Sequence, residues 1–82
     1  MSHYVYVLQS LKDEKYYIGY STDVKARLQF HNSGLQRSTG HRIPFRLVHY
    51  EEYISKSEAL AREKQIKSWK GGKAFKELIA GK

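Results

Sequence analysis

The sequence predicts a small α+β domain in which a three-stranded antiparallel sheet is flanked by helices, in the order β-β-α-β-α-α. Two strand-like segments come first with a short polar turn between them, and a short hairpin cannot join parallel strands. One further strand segment and three helical segments supply the remaining elements. The 82 residues suffice for one domain with a thin core, so we expect residues 1–82 to form a single domain with room for one site.

The first two strands are predicted to form a hairpin. "HYVYVLQ", residues 3–9, places β-branched and aromatic residues on both faces, which is typical of a strand covered on both sides. "YYIGYS", residues 16–21, is the returning strand. An even-numbered loop would place Tyr6, Tyr17 and Gly19 on one face. Glycine inside a strand often marks a close approach by a ligand, and we expect open space beside the two phenols.

A first helix is predicted from about Asp23 to Asn32. Ser21 or Thr22 is the expected N-cap, and Gly34 is the candidate for the C-terminal cap.

One face of this first helix carries an apolar stripe at i, i+4 and i+7, formed by Val24, Leu28 and His31. Arg27 and His31 are i, i+4 neighbours on the same helix, so their side chains are expected to lie one turn apart.

The second half of the chain begins with a loop over residues 33–44, which contains two glycines, a proline, two arginines and a histidine. "FRLVHYEEYI", residues 45–54, is the predicted third strand. "KGG" interrupts the helical pattern further on, and "KAFKELIA", residues 73–80, forms a short closing helix.

A second helix begins at a capping box formed by Ser55 and Glu58 and runs to about Trp69. Its predicted apolar stripe consists of Ala59, Leu60, Ile66 and Trp69. Glu63 lies at the edge of this stripe, about 50° from its centre.

Composition limits the classes of function. The chain has no cysteine, which excludes disulfides, thiolate metal sites and cysteine nucleophiles. The formal net charge of +7 favours polyanionic partners, although solubilising charge is the plain alternative. No apolar run reaches the length of about 20 residues that a membrane span needs. The N-terminal residues lack a signal-peptide pattern, so we expect a cytoplasmic protein without membrane contact.

Each candidate site residue has an ordinary structural alternative. Tyr6 and Tyr17 could be half-buried sheet tyrosines, but a phenol near cations can also act as a general base. Arg27 could be an exposed helix arginine or could hold a phosphate by two hydrogen bonds. His31 could be a histidine at the edge of the core or a proton donor. Glu63 could pair with a cation or hold Mg²⁺ together with waters and a phosphate.

The residues "YVYVL", then "YIG" with ten residues between Tyr6 and Tyr17, and then "STDVKARLQFHN" resemble the GIY-YIG nuclease superfamily. The resemblance covers about residues 3–80. It is strongest to small stand-alone, uncharacterised members and more distant to the N-terminal nuclease domain of the excision-repair protein UvrC. Three features depart from patterns within the superfamily. The first motif reads Tyr-Val-Tyr instead of Gly-Ile-Tyr, and Tyr20 stands where UvrC-type members have a lysine. Some members have a late asparagine in the active site, whereas the single asparagine here is Asn32, at the end of the first helix.

This resemblance implies an endonuclease that uses Mg²⁺ or Mn²⁺ bound to Glu63. Tyr6 would be the general base, Tyr17 would position the water or the metal shell, and Arg27 would neutralise charge on the phosphate. Gly19 and His31 complete the implied site. The expected substrate is DNA rather than RNA, with branched or nicked forms included and with little sequence specificity.

Two other functions remain open. The chain could be a nucleic-acid-binding module without catalysis, or an interaction protein with a degenerate nuclease site, and a protein partner could supply targeting. Five basic residues are predicted to bind nucleic-acid phosphates in either nucleic-acid role; these are Arg37, Arg42, Lys67, Lys70 and Lys73.

Overall fold

The computed structural model describes residues 2–35, 40–69 and 71–81. Its elements are β1 (His3–Ser10), β2 (Tyr16–Ser21), α1 (Val24–Asn32), β3 (Phe45–Tyr53), α2 (Lys56–Ser68) and α3 (Lys73–Ile79). The predicted α+β architecture and element order are therefore confirmed.

The three strands form one antiparallel sheet in the order β2-β1-β3. β1 is central because both of its faces are apolar: Val5, Tyr6, Val7 and Leu8 are all buried. Tyr6 pairs with Gly19 and Leu8 pairs with Tyr17. The expected common face of Tyr6, Tyr17 and Gly19 is thus confirmed.

Each face of the sheet has its own helices. On one face, Val24 and Leu28 of α1 pack against Tyr6, Leu8 and Phe45. On the other face, Ala59 and Ile66 of α2 and Phe75 of α3 pack against Val5 and Val7. Together these layers bury the central strand from both sides.

The ladder between β1 and β3 contains an irregularity at Val7 and Leu8. Val7 pairs with His49 while Leu8 pairs with Leu47, so Val48 is the extra residue of a β-bulge. The bulge shifts the alternation of β3, and Tyr50 consequently lies opposite Tyr6 on the face covered by α1.

The ends of α1 differ in detail from the prediction. The helix begins at Val24, and its N-cap is Asp23, whose carboxylate accepts a hydrogen bond from the Ala26 N–H at 3.0 Å. Ser21 instead binds the backbone of Asp23, so it fixes the turn before the helix. At the other end, Gly34 has a φ of 77° just beyond the C-cap, as expected for a glycine that ends a helix.

The predicted N-cap of α2 is confirmed, and so is the short closing helix, which is α3. Ser55 is the N-cap of α2 and accepts from the Glu58 N–H. The expected inclusion of Leu60 in the apolar stripe is wrong, because Leu60 is 40% exposed on the outer side of the helix. Over the described residues, no helix is long and apolar enough to cross a lipid bilayer.

Candidate active site

Tyr6 and Gly19 form the centre of the candidate site. A Cβ atom at position 19 would lie 2.5 Å from Cζ of Tyr6, a separation that Cβ atoms do not adopt. The ring of Tyr6 therefore occupies the space above the glycine. The expectation of open space beside the phenols is wrong, because the ring of Tyr6 itself fills the space next to Gly19.

Three rings gather on this face of the sheet. The centroids of Tyr6 and Tyr17 are 6.4 Å apart, those of Tyr17 and His31 4.6 Å, and those of Tyr6 and His31 6.3 Å. Oη of Tyr6 lies 3.3 Å from Nε2 of His31, within hydrogen-bonding distance. Residues from two strands and one helix thus meet, with two potential proton-transfer groups in direct contact.

Arg27 lies on α1 one turn before His31, and its Nε–H is the unusual donor of the site. Nε is buried and has no hydrogen-bond partner among the described residues, while Cζ lies 5.2 Å from the centroid of Phe30. A buried donor without an acceptor costs free energy, and such groups often serve a function. An anion that binds next to Arg27 can accept the hydrogen bond that this Nε–H does not make within the described residues.

Burial and the Arg27 charge set the protonation of the two neighbouring groups. Burial raises the pKa of the Tyr6 phenol above its ordinary value, and Arg27 opposes that rise through a hydrogen bond and its charge. Burial lowers the pKa of His31, and the charge of Arg27 lowers it further. At neutral pH the site therefore holds a neutral phenol beside a neutral imidazole.

Glu63 approaches this group from α2, on the other side of the sheet. Its carboxylate is close enough for its charge to raise the pKa of Tyr6. The side chain is 18% exposed, and Oε2 lies 3.2 Å from Nζ of Lys67. The alternative of an ion pair at the edge of the core is thus realised in this structure, although the partner is an exposed lysine of the next helical turn.

The residues were tested for their fit to a divalent metal. No group of three or more His, Cys, Asp or Glu side chains that could hold a metal occurs in the described part of the chain. A half-buried carboxylate is nevertheless a suitable anchor for Mg²⁺, which usually binds one or two carboxylates and completes its shell with waters and phosphate oxygens. The donor at Glu63 fits a metal that arrives together with a phosphodiester.

The described members of the basic set that was predicted to bind nucleic acid lie on different parts of the fold. Arg42 is held at the β1–β2 turn, where Nε donates to Asp13 at 3.1 Å. Lys67 pairs with Glu63, and Lys73 is exposed at the start of α3. Arg37 and Lys70 lie outside the described residues. Of the described members, Lys67 contacts a residue of the candidate site, through its ion pair with Glu63.

The departures from the superfamily pattern have structural explanations. Asn32 bonds both backbone groups of Phe45, so it ties the end of α1 to the start of β3. Tyr20 lies on the opposite face from Tyr6 and bonds Nδ1 of His3 at 2.7 Å. Lys56 lies 5.9 Å from the centroid of Tyr20, which places a cation near this position.

A second polar cluster, which was not predicted from the sequence, lies at the β3 edge of the sheet. Glu51 accepts hydrogen bonds from Tyr53 and Arg62 and lies 2.8 Å from Nε2 of His49. Although burial opposes ionisation, the bonds from Arg62, Tyr53 and His49 lower the pKa of Glu51 to about 2. The i, i+2 spacing of His49, Glu51 and Tyr53 on one strand was the available signal. The cluster fastens β3 to α2.

Comparisons with known proteins agree on one family. A family model described as the GIY-YIG catalytic domain matches residues 2–76. A UPF0213 protein of Haloquadratum walsbyi is 46% identical over 68 residues, which cover 82% of this chain and 75% of that protein. A UPF0213 protein of Staphylococcus haemolyticus is also 46% identical over 68 residues, covering 82% of each.

A solved structure agrees with these matches. The solution NMR structure of a UPF0213 protein from Bacillus halodurans is similar with a TM-score of 0.56 and 40% identity, covering 99% of this chain and 84% of that one. The matched range spans the positions of both tyrosine motifs, of Arg27 and His31 on α1, and of Glu63 on α2. This chain belongs to the GIY-YIG catalytic domain family, as one of its small UPF0213-like members.

Proposed function

We propose that this chain is an endonuclease that uses Mg²⁺ or Mn²⁺ to hydrolyse phosphodiester bonds in DNA with little sequence specificity, residues 1–82 acting as one nuclease domain. The observation that carries the proposal is the buried, unpartnered Nε–H of Arg27 beside the contact between Tyr6 and His31. A phosphate would supply the missing acceptor. Membership of a nuclease family and the net charge of +7 support the same substrate class.

Arg27 is the proposed phosphate-binding residue. A guanidinium can donate two parallel hydrogen bonds to a phosphodiester, which fixes its orientation as well as its position. When DNA binds, a phosphate oxygen would accept a hydrogen bond from the buried Nε–H of Arg27. The free-energy cost of leaving that donor without an acceptor in the free protein is then removed. The interaction also places positive charge where negative charge increases during hydrolysis.

Tyr6 and His31 are the proposed proton-transfer pair. Because burial raises the pKa of Tyr6, Tyr6 enters the reaction as a neutral phenol and can take a proton from water only as its own proton leaves. Nε2 of neutral His31, at 3.3 Å, is placed to receive that proton. Tyr17, which packs against both rings, orients the water.

Glu63 is the proposed anchor for the divalent metal. When bound, the metal would act as a Lewis acid that polarises the scissile phosphate and stabilises the leaving oxygen. The carboxylate must leave Lys67 to serve this role, and an i, i+4 ion pair on a helix is typically worth only about 0.3–0.5 kcal/mol. The existing pair is therefore a weak competitor.

The proposal is tested by incubating the protein with end-labelled linear, nicked, flap and four-way DNA and with matched RNA, in Mg²⁺, Mn²⁺ or EDTA. We expect metal-dependent cutting of DNA. Glu63→Gln should abolish cutting and weaken Mn²⁺ binding measured by calorimetry, whereas Lys67→Ala should retain Mn²⁺ binding. Tyr6→Phe keeps the ring over Gly19 and should lower the cleavage rate about 10²–10⁴-fold.

A binding module without catalysis is the second candidate, and one observation favours it. Tyr6 is only 1% exposed. The water that attacks the phosphodiester therefore reaches the Tyr6 hydroxyl only if neighbouring side chains move. Salt-dependent DNA binding that needs no metal, without cutting by folded protein, would establish this alternative. Undiminished cutting by Glu63→Gln or Tyr6→Phe would overturn the assigned roles.

A further inference from the structure

A groove of about 420 Å³ lies between the N-terminal part of α1 and the neighbouring strands. It is lined on the sheet by Tyr4, Leu47 and Tyr50, and on the helix by Lys25 and Leu28, with residues 22–24 at one end. We call it the tyrosine groove. Its volume is within the usual range of about 300–1,000 Å³ for small-ligand sites.

The tyrosine groove is adjacent to the candidate active site, because a residue that lines it pairs with a residue of the site. Tyr50 is paired with Tyr6 across the β1–β3 ladder, and directly opposed residues in such a ladder have Cα atoms about 4.5–5.5 Å apart. Tyr4 lies two residues before Tyr6 on the same face. The helix that closes the groove also carries Arg27 and His31.

The two tyrosines have the character of a stacking platform. Tyr50 is 58% exposed although it projects from a strand, and its ring centroid lies 6.2 Å from that of Tyr4 at an interplanar angle of 59°. Aromatic faces that remain uncovered beside a nucleic-acid site typically stack on bases. The Tyr6 ring does not compete for this space, because it lies over Gly19, toward β2, whereas Tyr50 belongs to β3 on the opposite edge of β1.

The charges at the groove suit a nucleotide. Lys25 supplies a cation for a phosphate, and the chain as a whole carries a net charge of +7. The carboxylate of Asp23 lies at the helix end of the groove, where it also accepts from the Ala26 N–H. A carboxylate can accept a hydrogen bond from the exocyclic amine of a base.

We propose that the tyrosine groove binds an unpaired base of the DNA substrate, so that the enzyme acts on DNA with unpaired nucleotides next to the scissile phosphate. This inference rests on the proposed nuclease function. A base inside an intact duplex has both faces covered by its neighbours and cannot stack on Tyr50, whereas an unpaired base can.

The test uses the full chain carrying Glu63→Gln, so that binding is measured without cleavage. The probes are a blunt duplex, a nicked duplex and a duplex with a short single-stranded tail that carries 2-aminopurine at its first unpaired position. We expect the tailed probe to bind more tightly than both fully paired probes, and its fluorescence to be quenched on binding. Tyr50→Ala should weaken binding of the tailed probe about 5- to 150-fold and remove the quenching.

Two further variants separate stacking from other effects. Tyr50→Phe keeps the aromatic face and should retain the preference for the tailed probe. Tyr16→Ala removes an exposed tyrosine on the other side of the sheet and should also retain it. Melting temperatures of all variants check folding.

Three results would overturn the inference: equal affinity for blunt and tailed probes, an unchanged preference in folded Tyr50→Ala, or tight binding of a tailed RNA but not of DNA. Failure of the nuclease proposal gives a different pattern, since stacking would persist while the parental chain cuts nothing. Efficient cutting of blunt duplex without preference would remove the groove's role and leave the nuclease function standing.

Discussion

The ring of Tyr6 lies over Gly19 of the neighbouring strand, in a position that no larger residue at 19 would permit. The two residues are directly paired in the ladder, so the glycine determines where the phenol of its partner can go. This places Oη beside His31 rather than farther along the strand. The glycine of the second motif therefore acts by making room for the tyrosine of the first.

Gly19→Ala should displace the Tyr6 ring. Because a Cβ would lie 2.5 Å from Cζ of Tyr6, we expect a loss of about 1–3 kcal/mol in the free energy of unfolding. Cleavage should fall about 100-fold through misplacement of Oη. Urea denaturation and cleavage rates measure the two effects.

The control for that prediction is a double-mutant cycle with Tyr6→Leu. A smaller side chain at position 6 relieves the clash, so Gly19→Ala should cost much less stability in the Tyr6→Leu background. Simple additivity of the two costs would show that the clash is not the cause.

Arg27→Gln should weaken DNA binding with little effect on stability. The change removes an unsatisfied buried donor, which is favourable. It also removes the hydrogen bond between Arg27 and Tyr6 and the cation–π contact with Phe30, and the loss of the latter is unfavourable by about 0.5–1 kcal/mol. If Arg27 neutralises one phosphate, the slope of log K against log salt should decrease in magnitude by about 0.9.

Arg27→Lys is the matched variant for this test, because it keeps the charge but loses the two-pronged geometry. It should retain most of the salt dependence and recover only part of the cleavage. A large loss of stability in Arg27→Gln would indicate a structural role instead.

The pH dependence of cleavage should reflect His31. Its pKa is lowered by burial and by Arg27, so the imidazole stays neutral at a pH where an ordinary histidine, with a pKa of about 6.5, is half protonated. Since a neutral Nε2 must accept the proton of Tyr6, cleavage should persist at pH 6.5 and decline only at lower pH. A pH–rate profile whose acid limb has its midpoint above 6.5 would contradict the proton-transfer role.

Stability at acidic pH should depend on Glu51. Its pKa is lowered from 4.5 to about 2, so the unfolded chain binds this proton more readily than the folded one. The stabilisation is complete above pH 4.5 and is lost as the pH falls toward 2. Glu51→Gln should remove this acid-dependent loss and cost about 1–3 kcal/mol at neutral pH.

The exposed Glu52 on the same strand provides the comparison for Glu51. Melting temperatures measured across this pH range should decline in Glu52→Gln as they do in the parent. An identical decline in Glu51→Gln would show that the cluster with Arg62 does not control acid stability.

The sequence by itself determined the local elements and the two faces of the hairpin. Alternation identified the strands, and capping residues located α2. The expected even spacing of the hairpin, which the pairing of Gln9 with Tyr16 confirms, placed Tyr6 and Gly19 on a common face. These features depend on side-chain periodicity and on hydrogen bonds within a few residues. The motifs also indicated the family before any contact was known.

Only the tertiary structure decided how those elements meet. The bulge at Val48 turned Tyr50 toward the face of Tyr6, and the packing of α1 buried the Nε of Arg27 without an acceptor. The space above Gly19 went to a side chain of the same molecule rather than to a ligand. Each of these results depends on residues distant in sequence competing for one volume, which local pattern does not encode.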